Sequence, residues 1–268
     1  MGGAASMRAV LINLDRSVER LAMFRARADA LGLAFERVGA VDGANETLVR
    51  GTLTPSEAAC FESHRRAWMR LAESGEPWMA VFEDDVHLRA PVVELLGSGD
   101  WIPAGTNIVK LETFNEPVLV SAAGTLVHGV RLHRLRSTHL GCAGYIIARR
   151  HAIDLLERTA SGAAYVLPID WALFDLGGRA RRKARVLQVV PAPCIQEERL
   201  AFLEGRPVQH ESLINGRGQP LFSRVTLSGP ERLRREVERL GRQLYHLPDT
   251  IREALTPAQM MTIPFGGT

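Results

Sequence analysis

The stretch P-W-M-A-V-F-E-D-D-V-H-L, from Pro77 to Leu88, decides the fold. Met79 to Phe82 form a short apolar run suited to a strand buried on both faces. Glu83, Asp84 and Asp85 end that run before Val86 and Leu88 resume it. Asp is depleted in strands and neighbouring carboxylates repel, so the triplet is a poor way to continue a core. In an open α/β sheet, ligands bind outside the carboxyl ends of the strands, where this triplet falls. Clustered carboxylates are tolerable when a hard divalent cation neutralises them. Mg2+ and Mn2+ take oxygen ligands and usually share them with phosphates. The triplet therefore points to a metal–diphosphate site. Acids capping a loop and paired with arginines are the plainer alternative.

Upstream, MRAVLINLD (Met7–Asp15) reads as a buried strand ending in a polar turn. Val18, Leu21, Phe24, Ala28 and Leu31 follow at helical spacing, with Ser17 as a possible cap. AFERVGAVDG reads as a second strand closing on the turn pair Asp42–Gly43. Strand, helix, strand at this spacing is a βαβ unit and predicts a parallel sheet. A helix from LTPSEAACFESHRRAWMRLAESG, capped by Thr54 or Ser56, then leads into the acidic strand. NIVKLETF and GCAGYIIAR read as further strands, with RHAIDLLERTA a helix behind the second. PIDWALFDLG reads as a short helix opened by Asp170, and RVLQVVPAPCIQ as a late strand stopped by prolines.

At 268 residues, with 46% hydrophobic and 24% charged residues, the composition is that of a globular protein with a substantial core. A net charge of +3 is too small to argue for nucleic acid. No segment approaches the roughly 18–20 uninterrupted apolar residues of a membrane span. No secretory signal is visible, and a cytoplasmic location is expected. MGGAAS matches the loose N-myristoylation pattern at Gly2, although a leader or an upstream start before Met7 is the plainer reading. Cys60, Cys142 and Cys194 are odd in number and far apart, so neither a disulfide framework nor a zinc spacing follows, and a reducing compartment is expected.

From about Ser223 the character changes. Leu233, Val237, Leu240 and Leu244 form a narrow apolar stripe among arginines and glutamates. Docking on the domain, a homodimer contact and a peripheral membrane helix all remain open for it. Two regions are thus expected: residues 7–222 as a catalytic domain and 223–268 as a helical extension. The cluster Arg179, Arg181, Arg182, Lys183 and Arg185 reads as a solvated loop, or as a site for anionic acceptors.

In order, LINLDRSVERL, AVDG, LTPSEAACFESHRRAW, AVFEDDV, GCAGYIIARRHA and PIDW resemble glycosyltransferase family 25, which contains lipopolysaccharide-core and procollagen galactosyltransferases. The resemblance covers roughly residues 8 to 215. The Asp-x-Asp signature of such enzymes stands here as Glu83-Asp84-Asp85. The resemblance implies a GT-A fold, that is, a Rossmann-like α/β arrangement with a mostly parallel sheet flanked by helices. It also implies a UDP-sugar donor, most often UDP-galactose, inversion at the anomeric carbon, and a saccharide or glycolipid acceptor in surface oligosaccharide synthesis at the inner face of the cytoplasmic membrane.

For the site, the resemblance makes Asp85 the direct ligand of Mn2+ or Mg2+, with Glu83 binding the metal or the donor ribose. Asn13, Arg16, Arg20, Asp42 and Asp84 fall at nucleotide-facing positions. His64 belongs to the family's Ser-His pair, although Cys60, His64 and Trp68 share a helix face and His64 also fits a half-buried structural role. His210 is a further candidate metal ligand. Inversion by single displacement needs a base for the acceptor hydroxyl, and a carboxylate suits that task. Asp170 is the first candidate, its other reading being a helix cap, and Glu112 the second. Trp171 and Tyr145 are candidates for stacking on a sugar, or core residues. A metal-dependent phosphohydrolase and a non-catalytic scaffold on the same fold are the rival readings.

Overall fold

The computed structural model describes residues 6–44, 53–160, 167–174, 184–209 and 257–266. The chain starts with β1 (Arg8–Asn13), α1 (Val18–Leu31) and β2 (Glu36–Gly39), and β1 and β2 pair in parallel. Then α2 (Pro55–Ser74) carries the chain back across to β3 (Trp78–Glu83), which pairs in parallel with the other edge of β1. Strand β1 thus lies between β2 and β3, so the connections leave it in opposite directions. This is the switch point at which open α/β sheets form a crevice. Register places Ile12 opposite Glu83, so the ends of β1 and β3 meet there.

After Asp84 and Asp85, the chain runs through β4 (Val86–Leu88) and α3 (Pro91–Leu96) to β5 (Ile108–Lys110). Strands β6 (Pro117–Ser121), β7 (Thr125–Val127) and β8 (Val130–Arg134) follow, and then β9 (Gly144–Ala148), α4 (Arg149–Arg158) and α5 (Ile169–Phe174). The described chain continues with β10 (Val186–Val190), β11 (Cys194–Gln196), α6 (Glu197–Glu204) and β12 (Ala258–Thr262). Among the described residues, the main sheet has eight strands in the order β2-β1-β3-β9-β5-β10-β8-β7.

Its direction is more mixed than the sequence suggests. The pairs β1–β2, β1–β3 and β5–β10 are parallel, but β9 lies antiparallel between β3 and β5, and β8 is antiparallel to both β10 and β7. The late strand expected from RVLQVVPAPCIQ is divided in two at Pro191, and β11 leaves the main sheet to pair with β4. Outside the main sheet too, β12 pairs antiparallel with β6, and Ile263 just beyond it is fully buried. Ile263 and β12 therefore pack onto the same core as the main sheet. The arginine- and leucine-rich helix expected around residues 231–244 lies outside the described residues.

Alternation along the strands divides the core into two layers. Val10, Ile12, Met79, Val81, Tyr145 and Ile147 point to one face, where α2, α4 and α5 cover them. Ala9, Leu11, Ala80, Phe82 and Ile146 point to the other, against Phe24 and Ala28 of α1 and Leu95 of α3. A side-chain period of two with both faces covered explains why these strands read as unbroken apolar runs.

Two caps test the local reading. Thr54 accepts from the Glu57 backbone N–H at 3.2 Å while Glu57 Oε2 accepts from the Thr54 N–H at 2.7 Å, a complete capping box. Ser17 occupies the cap position of α1, yet its side chain makes no cap hydrogen bond. Its carbonyl instead accepts from Asn13 Nδ2 at 3.0 Å, which ties the start of α1 to the end of β1.

Candidate active site

A cleft of about 290 Å³ opens at the carboxyl ends of β1 and β3. Arg16, Arg20, Asp42, His64 and the carboxylates Glu83 to Asp85 are among its lining residues. Residues separated by 69 positions in sequence thus face one space, as the sequence reading expects.

The three acids are held in different ways. Asp84 accepts from Asn13 Nδ2 at 2.7 Å and from Arg20 at 2.9 Å. Asn13 is in turn fixed by Arg37, whose Nε donates to Asn13 Oδ1 at 2.8 Å. Arg20 also reaches Asp85 Oδ2 at 3.3 Å. Asp85 Oδ1 is buried with no hydrogen-bond partner among the described residues. Burial, then the charge of Glu83, pushes Asp85 up to about 7, against the pull of Arg20. Burial likewise raises Asp84.

Glu83 turns the other way. Its Oε1 lies 3.0 Å from His64 Nε2 and accepts from the Cys142 thiol at 3.1 Å. Burial pulls His64 down, but Tyr145, Cys60 and Glu83 outweigh it and hold the imidazole well above its ordinary pKa. Burial pushes Glu83 up, but His64, Cys142 and Arg20 hold it below the usual carboxylate value. The two shifts agree on an ion pair. His64 Nδ1 lies 2.8 Å from the Tyr145 hydroxyl, which also accepts from Trp68 Nε1 at 2.9 Å. Tyr145 is fully buried, so it is a core residue and does not stack on a sugar.

Arg20 faces Asp84 and Asp85, and His64 faces Glu83, so three acids meet two basic side chains. The bare Asp85 oxygen among them suits a cation with oxygen ligands. At the mouth, Arg16 Nε donates to Asp42 Oδ2 at 2.7 Å, and Asp42 Oδ1 accepts from the Ala44 N–H at 3.0 Å, which shapes the turn after β2.

The two base candidates part company. Asp170 sits in the first turn of α5 and accepts from the Trp171 N–H at 2.8 Å and from the Gly141 backbone. It is half-buried and close enough to Glu83 to feel its charge; burial first, and that charge, raise its pKa. Glu112 is fully buried, with Oε1 unpartnered among the described residues and Oε2 accepting from the Ala143 N–H at 2.9 Å. Gly141 has φ +89°, and a Cβ there would meet both Glu112 oxygens at 2.8 Å, so only glycine allows this approach. Lys110, also fully buried, lies 3.5 Å from Glu112, donates to the Gly141 carbonyl and sits 4.0 Å from the Phe174 ring centre.

Burial pushes the Glu112 carboxyl up to about 8, with Lys110 pulling it down. The folded chain therefore keeps a proton that the unfolded chain releases near 4.5. The stability linked to that proton is complete below about 4.5 and is lost as pH rises to about 8. Glu112→Gln is expected to lose less stability than the parent between those limits, by roughly 1–4 kcal/mol, in denaturant melts at both ends of the range. Equal losses in the two proteins would refute a neutral Glu112.

Arg37, Lys110 and Cys142 escape the sequence reading. Arg37 resembles any strand-edge arginine, and Lys110 ends an apolar run without a local sign of its partners. His210, the extra metal candidate, lies outside the described residues, as do most of the Arg179–Arg185 cluster and Gly2.

Similarity to known proteins follows the same ground. Residues 7–173 match the family described as "Glycosyltransferase family 25 (LPS biosynthesis protein)". The chain is 31% identical over 257 residues to the lacto-N-neotetraose biosynthesis glycosyltransferase LgtB of Neisseria gonorrhoeae, covering 87% of this chain and 91% of that one. It is 34% identical over 180 residues to LgtB of Neisseria meningitidis, covering 62% of this chain and 64% of that relative's length. A solved glycosyltransferase involved in glycosylating the major capsid of PBCV-1 overlays 75% of this chain and 100% of its own, at 9% identity and a TM-score of 0.41. With its matched segment spanning every strand and helix that builds the cleft, the chain belongs to glycosyltransferase family 25.

Proposed function

We propose that the chain is a metal-dependent, inverting hexosyltransferase that moves galactose from UDP-galactose to a saccharide acceptor during lipopolysaccharide or related surface oligosaccharide synthesis. The observation that carries this reading is the unpartnered Asp85 oxygen beside an unbalanced negative charge at the switch point of the sheet. The acidic residues fit Mn2+ or Mg2+, with Asp85 as the direct ligand and Asp84 held beside it by Asn13 and Arg20. When bound, such an ion neutralises charge on a diphosphate leaving group. Glu83 is committed to His64 and Cys142, so it shapes the cleft floor and serves the donor from there.

The protein's own groups divide the remaining work. Arg16 and Asp42, paired at the mouth, face the nucleotide. Arg20 holds two acids in fixed positions and limits their mutual repulsion. Asp170 takes the proton from the acceptor hydroxyl as its oxygen attacks the anomeric carbon. Its raised pKa strengthens it as a base, provided it remains ionised at the working pH. Glu112, fully buried and raised to about 8, is the weaker candidate for the base. Similarity to glycosyltransferases of lacto-N-neotetraose biosynthesis supports a saccharide acceptor.

The test is a panel of sugar nucleotides, assayed for slow hydrolysis and for transfer with Mn2+ and with chelator. One UDP-sugar is expected to turn over about tenfold or more faster than the others, and only with metal. Equal turnover in chelator, or release of phosphate from simple phosphoesters, would overturn the reading.

A further inference from the structure

Cys60, His64, Glu83 and Cys142 are scattered through the sequence, yet their donor atoms all lie within 4.8 Å of one another. Helix α2 supplies Cys60 and His64 one turn apart, β3 ends in Glu83, and the segment entering β9 supplies Cys142. We propose that these four side chains form a tetrahedral site for a borderline-soft divalent cation, Zn2+, in the floor of the cleft and separate from the Asp85 position.

The geometry is close to what such an ion requires. A tetrahedron with Zn–N and Zn–O near 2.0 Å and Zn–S near 2.3 Å has edges of roughly 3.3–3.8 Å. The observed edges are 3.0 Å for His64 Nε2 to Glu83 Oε1, 3.1 Å for Cys142 Sγ to Glu83 Oε1, and 3.7 Å for Cys142 Sγ to His64 Nε2. The Cys60 sulfur lies within 4.8 Å of the other three donor atoms and is the fourth of the set. Small side-chain rotations would open the two short edges.

Chemistry selects the ion. Two thiols and an imidazole favour Zn2+ over Mg2+ or Mn2+, which prefer oxygen. His64 already has the outer partner that metal-bound histidines use: its Nδ1 faces the Tyr145 hydroxyl, itself fixed by Trp68. With Nδ1–H donating to Tyr145, the Nε2 lone pair points at the other three donors. Cys60, His64 and Glu83 line the cleft, and the half-buried Cys60 and Glu83 give an ion a path in, with Cys142 buried behind them. Binding would release the protons of both thiols and of Nε2, and would tie α2, β3 and β9 together.

The test uses the full chain, stripped of metal under reducing conditions, with Co2+ as the probe and Zn2+ as competitor. Stoichiometric binding with a thiolate-to-cobalt charge-transfer band and the visible spectrum of tetrahedral cobalt is expected. Zinc should displace cobalt and raise the melting temperature. Cys142→Ser should lower the charge-transfer band to at most the share of the remaining Cys60 thiolate and diminish the zinc-induced shift, and Tyr145→Phe should weaken zinc binding roughly 10–100-fold. Asp85→Asn should leave the cobalt spectrum unchanged, which separates this site from the proposed diphosphate metal. An octahedral spectrum without the thiolate band, or an unaltered spectrum in Cys142→Ser, would each overturn the proposal. Circular dichroism matching the parent establishes that the serine variant is folded.

Discussion

Asp170→Asn is expected to lower transfer by about 10²–10⁴-fold while leaving UDP-sugar binding within a small factor of the parent. The asparagine keeps an oxygen in place of Oδ1, so the hydrogen bond from the Trp171 N–H survives and the first turn of α5 remains. What it loses is the capacity to take a proton. Burial raises the Asp170 pKa, so the parent's transfer rate should climb as pH rises through that value. In the variant, that acid limb should disappear from the residual rate. The readouts are the transfer rate across pH and calorimetric binding of UDP-galactose. If the variant kept most of its turnover, Asp170 would be only the helix-start residue that its local sequence also suggests. If it lost donor binding together with turnover, Asp170 would be a binding group, and inversion would need another base.

The half of the fold that positions this chemistry is legible because its signals are local. An apolar run, a helical repeat and a second run give β1-α1-β2. The Thr54–Glu57 spacing gives the start of α2. The acid triplet stands out because three carboxylates after a buried strand conflict with local propensity. Strand direction has no such sign. Gly144–Ala148 reads as a buried strand whichever way it runs, and its antiparallel position between β3 and β5 is set by packing across the whole sheet. Strand β12 is further out of reach. Its residues alternate between exposed and half-buried, and its partner β6 lies well over a hundred residues earlier.

The site divides in the same way. Residue types at the ends of strands point to Asn13, Asp84 and Asp85, but only the folded chain pairs Asn13 with Asp84 and turns Glu83 from its neighbours toward His64. Glu112 shows why residue type alone misleads. In sequence it is a carboxylate following a strand, like Asp85. In the fold it lies under the Gly141 turn beside Lys110, where burial raises its pKa to about 8. Cys142 is the converse. A lone cysteine entering a strand carries no signal, and its place beside Cys60, His64 and Glu83 arises only from tertiary contacts.

Asp85→Ala is expected to abolish metal-dependent UDP binding, with at least about a hundredfold loss of transfer. The reason lies in how little else can replace it. Asn13 and Arg20 already engage Asp84, and His64 and Cys142 engage Glu83, whereas Asp85 keeps one buried oxygen free of any described partner. Removing that carboxylate also relieves repulsion with Glu83 and Asp84, so the variant should be at least as stable as the parent. Opposite changes in stability and binding would distinguish a ligand from a structural acid. Acidification gives a second measure. Protons compete with the cation for a carboxyl raised to about 7, so UDP affinity in Mn2+ should fall as pH drops below that value, with little change in chelator. Calorimetry with Mn2+ and with chelator, at neutral and mildly acid pH, reads both effects. Unchanged UDP affinity in Asp85→Ala, or equal affinity with and without metal in the parent, would mean that the surplus negative charge is met by Arg20 and His64 alone. The cleft would then hold its ligand without a bridging ion.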